Sequence, residues 1–167
     1  MEIDWLPEII CLESFNGDWG SYVEAIYGVF RGDFVDSRPL FDSLPVTIDG
    51  RLENGKEATF WHVTHSYSNL VGERIPELRR CERVCWIRPL IENALLNSEV
   101  VLVWNEKKNK QLRTYLWLKE KDYLTVLRVI NSKVAVLITA FYIEREHTRN
   151  KLLKTFERMQ KPPGLDT

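Results

Sequence analysis

The chain has 167 residues, a formal net charge of −1, 44% apolar and 11% aromatic side chains. That length predicts one domain able to bury a core without staples, and the composition excludes a disordered chain. The near-neutral total hides a split: residues 1–60 carry 4 Lys+Arg against 12 Asp+Glu (−8), and residues 61–167 carry 19 against 12 (+7). Such asymmetry points to a polyanionic partner, nucleic acid above all, because clustered cations release counterions when they meet phosphates. A solvated basic face would give the same composition. Apolar runs such as Val134–Ile138 are far too short to span a bilayer, and the Met-Glu-Ile-Asp-Trp start lacks the features of a signal peptide. Three cysteines, Cys11, Cys81 and Cys85, match no metal or disulfide framework. The expectation is a reduced, cytoplasmic protein with no membrane contact, no metal and no cofactor.

In chain order, Trp19, Tyr22, Val23, Ile26, Tyr27 and Phe30 fall on one helical stripe, with Asp18 as cap, Ser21 and Glu24 as a second capping option, and Gly32 as stop. Residues 35–54, with two prolines and the pairs Asp49-Gly50 and Asn54-Gly55, read as a loop holding a short strand near Val46–Ile48. Ala58–Thr64 is β-branched and aromatic, which predicts a strand. A helix is expected between Pro76 and Leu96, interrupted at Pro89. Four strand-like runs follow, Val100–Glu106, Leu112–Lys119, Tyr123–Ile130 and Val134–Ile143, joined by short polar segments that suit hairpins. Arg145–Met159 reads as a closing helix. The fold class is α+β: N-terminal helices, a four-stranded antiparallel meander and a C-terminal helix. The reading is a single domain over 1–167, with an acidic helical leader (1–56), an α+β core (57–160) and a tail (161–167).

Two constellations carry chemistry. On the second meander strand, alternation points Leu112, Thr114, Leu116 and Leu118 one way and Arg113, Tyr115, Trp117 and Lys119 the other. Cations interleaved with rings suit a single-stranded nucleic acid, offering charge to phosphates and flat faces to bases. An exposed sheet face using aromatics for strand propensity reads the same way. Trp104 either extends this platform or belongs to the core. The second constellation is Glu57-Ala-Thr-Phe-Trp-His62-Val-Thr-His65 with Arg79, Arg80, Arg83 and Arg88. Imidazole titrates near neutral pH, which makes His62 the candidate proton shuttle. On a strand, His62 and His65 would face opposite sides, which argues against a shared metal. Arg79 and Arg83, one helical turn apart, could clamp a phosphate with Arg80 beside them, unless Glu82 neutralises one of them.

The order of helix, meander and closing strand, with His62 upstream, arginines between and Thr139-Ala-Phe141 on the last strand, resembles the barnase–EndoU–colicin–RelE class of ribonucleases, in its phage- and toxin-associated form. The stretches Glu57–His62, Arg79–Arg83 with Trp86 and Arg88, Leu116-Trp-Leu and Asp122-Tyr-Leu also resemble a group of bacterial proteins abundant in cyanobacteria. The likeness covers roughly residues 56 to 143. It implies metal-independent cleavage of RNA by attack of the ribose 2′-hydroxyl on the adjacent phosphate. His62 would shuttle the proton, Arg79, Arg80 and Arg83 would stabilise the transition state, and Thr139 would hydrogen-bond a phosphate oxygen. Arg88, Arg113, Tyr115, Trp117 and Lys119 would help bind RNA. Phe141 stands where many members carry Tyr, which removes a hydroxyl. Partners implied are RNA and an antitoxin or other inhibitor protein, with homo-oligomerisation left open. Two other classes also fit the residues: a non-catalytic ribonucleoprotein adaptor, and a protein–protein module in which acidic leader and basic body meet.

Overall fold

A computed structural model describes residues 2–161; the predicted tail beyond Lys161 lies outside the described residues. The N-terminal stripe forms helix α1, Trp19–Phe34, which buries Tyr22, Ile26, Phe30 and Phe34. It runs past the predicted stop at Gly32 because Phe34 extends the stripe by one turn, its ring centroid 5.3 Å from that of Phe30. Asp18 is the N-cap residue, and Ser21 donates to its carboxylate at 2.8 Å.

Strands β1 (Leu40–Phe41) and β2 (Leu44–Thr47) pair antiparallel, as do β3 (Leu52–Glu53) and β4 (Lys56–Glu57). The second pair turns through Asn54 and Gly55, both at positive φ (51° and 79°), the conformation that an Asn-Gly hairpin turn adopts. Ala58–Thr64, expected as a strand, is helix α2. Its buried residues Thr59, Phe60, Val63 and Thr64 lie on one helical face, and burying that face overrides a β-prone composition. Strands β5 (His65–Ser68) and β6 (Glu73–Pro76) form a separate hairpin. The expected helix after it comes in pieces: α3 (Leu78–Glu82), a 3-10 turn at Val84–Trp86, and α4 (Ile87–Asn93). The break falls at Arg83 and not at Pro89. Pro89 is the third residue of α4, where a backbone N–H would have no acceptor within the helix.

The meander is present as β7 (Val101–Lys108), β8 (Gln111–Leu118), β9 (Tyr123–Ile130) and β10 (Val134–Tyr142), followed by α5 (Glu146–Gln160). The α+β class stands, but the sheet is six-stranded and mixed, in the order β1-β2-β10-β9-β8-β7. Strand β2 runs parallel to β10, with Val46 opposite Ala135 and Thr47 opposite Val136. Pairing covers part of a β10 edge that would otherwise be open, and it buries Val46 completely.

Each face of the sheet has its own core. One presents Leu116, Leu118, Leu127, Leu137 and Ala140 to Tyr22, Phe30, Phe60 and Ile87 from the helices. The other presents Trp104, Trp117, Leu124 and Val126 to Leu152, Leu153 and Phe156 of α5. This corrects the proposed stacking platform: Trp117 is fully buried, because α5 covers the face that alternation left open. Nor is the acidic leader an appendage. The Trp86 indole donates to the Pro7 carbonyl (2.8 Å), Arg88 to the Asp33 carbonyl (2.9 Å), and the Ile10 amide to the Glu82 carbonyl (2.9 Å). Among the described residues no ion pair joins residues 1–60 to the basic remainder; burial and backbone hydrogen bonds unite them. No helix among the described residues is long and apolar enough to cross a membrane.

Candidate functional site

The arginines expected around a phosphate already have partners. Glu82, its side chain 5% exposed, accepts from Arg79 Nη1 at 2.9 and 3.1 Å and from Arg83 Nη1 at 3.0 Å. It therefore neutralises both members of the expected clamp. The Arg83 guanidinium also lies over the rings of Tyr142 and Trp86, 4.4 and 5.1 Å from their centroids. Arg80 pairs with Glu77 at 2.9 Å and donates to the carbonyls of His62 (3.1 Å) and His65 (3.0 Å), which closes the end of α2. Arg88 pairs with Glu92 and donates to the Asp33 carbonyl and the Ser37 hydroxyl, tying α4 to the end of α1. These contacts leave the four side chains holding elements together.

His62 does not meet Arg79 and Arg83. It lines a cleft of about 340 Å³ with Asp49, Arg51, Thr59, Arg74 and the Val136–Ile138 stretch of β10. A smaller hollow of about 190 Å³, lined by Glu53, Asn54, Trp61, His65 and Arg74, adjoins it; Glu53 and Arg74 border both. Arg74 stands on the border the two share, and together they are called the groove. Arg51 is committed to Asp49 through Nε (3.0 Å) and Nη2 (2.7 Å), and Thr59 Oγ1 accepts the Asp49 amide at 2.8 Å. Arg74 is exposed and makes no ion pair among the described residues, so its charge is available to a ligand. A larger hollow of about 450 Å³ beside Leu78 and Arg79 offers Glu82, whose carboxylate is already bound, and no imidazole.

His62 lies in the last turn of α2 and His65, in extended backbone, opens β5 directly after it; the hollows they line share Glu53 and Arg74. Burial lowers the pKa of both rings below the usual 6.5, and the nearby charges of Arg74 and Arg80 push in the same direction. Both imidazoles are therefore neutral at pH 7 and able to accept a proton. His65 is also oriented. The Thr64 hydroxyl donates to the Phe60 carbonyl at 2.8 Å, and its oxygen lies 2.8 Å from His65 Nδ1. With the hydroxyl proton committed to the carbonyl, Nδ1 must be the donor, which leaves Nε2 of the neutral ring as an acceptor. Trp61 holds the same ring edge-on, with centroids 5.2 Å apart.

The other expected residues lie elsewhere. Thr139 follows a bulge in β10, opposite Val126, and is half-buried; its neighbour Ile138 lines the cleft, but Thr139 does not. Tyr115 stacks on Trp104 at 5.0 Å with 3° between the planes, and Lys119 opens the 3-10 turn after β8, where its carbonyl accepts from Arg149. The Cys81 and Cys85 thiols are buried, and burial pushes them up to about 12 and about 11, which makes both inert. Among the described residues no three potential ligands gather as a metal site. Sequence reasoning missed Arg74, although it is the one cation between His65 and Arg79. Compared with known proteins, the chain matches no family model, no curated protein and no solved structure.

Proposed function

We propose that the groove around Arg74 is the site of a metal-independent endoribonuclease, toxin-like in type, acting on cytoplasmic RNA and open to control by an antitoxin. The observation that supports this reading is one uncommitted guanidinium bordered by two imidazoles, groups that exchange protons on the acid side of neutrality, where one can be neutral while the other is protonated. RNA carries its own nucleophile, so the protein has only to move protons and stabilise charge. His62 takes the proton of the ribose 2′-hydroxyl. The 2′-oxygen then bonds to the adjacent phosphorus while the bond from phosphorus to the 5′-oxygen breaks. The leaving oxygen receives a proton from Nε2 of a protonated His65, whose Nδ1–H stays on Thr64. Arg74 stabilises the negative charge that builds on the phosphoryl oxygens. The products are a 2′,3′-cyclic phosphate and a free 5′-hydroxyl. Arg79, Arg80, Arg83 and Arg88 serve as the frame that holds α2 and α3 in place.

The test is cleavage of end-labelled single-stranded RNA in EDTA, comparing wild type with His62→Gln, His65→Gln and Arg74→Gln. The expected result is cyclic-phosphate ends from wild type and a loss of about two to three orders of magnitude in rate for Arg74→Gln. Intact RNA at high wild-type concentration, or equal cleavage by His62→Gln, overturns the reading.

A further inference from the structure

The strand register sets Arg113 of β8 directly opposite Arg128 of β9, and Arg128 directly opposite Val136 of β10. Arg113 alternates with Tyr115 and Trp117, and Arg128 with Val126 and Leu124, so both side chains leave the sheet on the α5 side, one pleat beyond the tryptophan cluster. Like charges directly across two strands repel. Neither arginine has a carboxylate partner among the described residues. Glu106, opposite Arg113 on β7, instead lies 3.8 Å from Arg158 of α5. Arg113 Nη2 donates to Gln111 Oε1 at 3.3 Å, and its Nε is buried with no partner. Repulsion and an unsatisfied buried donor both cost stability, and an oxyanion seated between the two guanidiniums would relieve both.

The row does not end at β9. Val136, the next residue across, starts the β10 wall of the groove that holds His62 and Arg74. Two strand spacings of about 4.8 Å put the Arg113 backbone roughly 10 Å from that wall. We propose that Arg113 and Arg128 form a phosphate-binding subsite for a single-stranded polynucleotide whose chain continues past the β10 edge to the bond at Arg74. The proposal deepens the ribonuclease reading and rests on it. The backbone of the strand crosses β8, β9 and β10 with its phosphates on these cations, and the tryptophans under α5 take no part in holding bases.

The experiment measures binding of a 2′-O-methyl RNA octamer, which lacks the nucleophile, by fluorescence anisotropy across a salt series. Wild type is compared with Arg113→Gln, Arg128→Gln and Lys151→Gln, the last an exposed cation on α5. Each arginine substitution is expected to weaken binding and to flatten the plot of log K against log[salt] by about 0.7, the value for one phosphate contact on a single strand. Lys151→Gln should leave the slope unchanged. Melting temperature is a second readout: a purely structural role predicts a fall, whereas removing one of two repelling charges predicts none. Unchanged slopes for both arginine variants, or the same flattening by Lys151→Gln, overturn the subsite. Octamer binding without cleavage of the matching RNA overturns the ribonuclease reading and leaves the subsite standing. No octamer binding by wild type at low salt overturns both.

Discussion

Arg79, Arg80, Arg83 and Arg88 crowd into ten residues of sequence, yet each spends its charge inside the protein on Glu82, Glu77, Glu92 or backbone carbonyls. Arg74, Arg113 and Arg128 are scattered, and none of them has a carboxylate partner among the described residues. The difference teaches that a dense run of cations with acidic residues one, three or four positions away is self-neutralising, while cations isolated on strands keep charge for a ligand. Stability should therefore belong to the first set and activity to the second.

The comparison can be broken or sharpened by experiment. The largest expected effect is in catalysis: Arg74→Gln should lower kcat/KM on RNA by two to three orders of magnitude, about 2.7–4 kcal/mol, with an unaltered urea midpoint. Close behind, Glu82→Ala should destabilise the fold by about 3 kcal/mol in urea, because it strands the largely buried Arg83 beside Arg79. A pH profile comes next. The proposed mechanism uses His62 neutral and His65 protonated, and both pKa values are shifted below 6.5, so kcat/KM should peak on the acid side of 6.5 and decline above it. His65→Gln should remove the alkaline limb. Stability has the opposite sign: the unfolded chain binds protons on these histidines more readily, so the unfolding free energy should fall as pH drops below 6.5. A smaller effect is expected at the cross-strand pair, where Arg113→Gln or Arg128→Gln should raise stability by about 0.2–1 kcal/mol. The smallest is Arg79→Gln, which should leave both the urea midpoint and the RNA salt slope close to wild type, since that side chain is half-exposed and already paired.

Much of the architecture was legible in the chain. Strict alternation and short polar connections placed the four meander strands to within a residue or two, and the stripe from Trp19 located α1. The failures have physical causes. Seven residues are too few to display helical periodicity, so α2 was read from composition. Strand β2 joins the sheet through a partner near the other end of the chain, which no local pattern reveals. Alternation sorted Trp117 onto the correct face, but it could not say that the sparse apolar stripe of Leu152, Leu153 and Phe156 would lie on top. Within the candidate site, the sequence singled out His62, which lines the cleft, whereas which guanidinium stays unpaired depended on which carboxylates fold against which arginines.

The parallel seam between Val46 and Ala135 also bears on when the groove comes into being. One wall is made by residues from Asp49 to Arg74, and the facing wall by Val136–Ile138 of β10, far along the chain from them. Such distant closure is slow and comes late in folding. A nascent chain that has not yet released β10 holds its imidazoles and Arg74 without the facing wall, so the groove assembles only after β10 has emerged. Synthesis would thus leave an interval in which a binding partner could engage the chain before the groove exists.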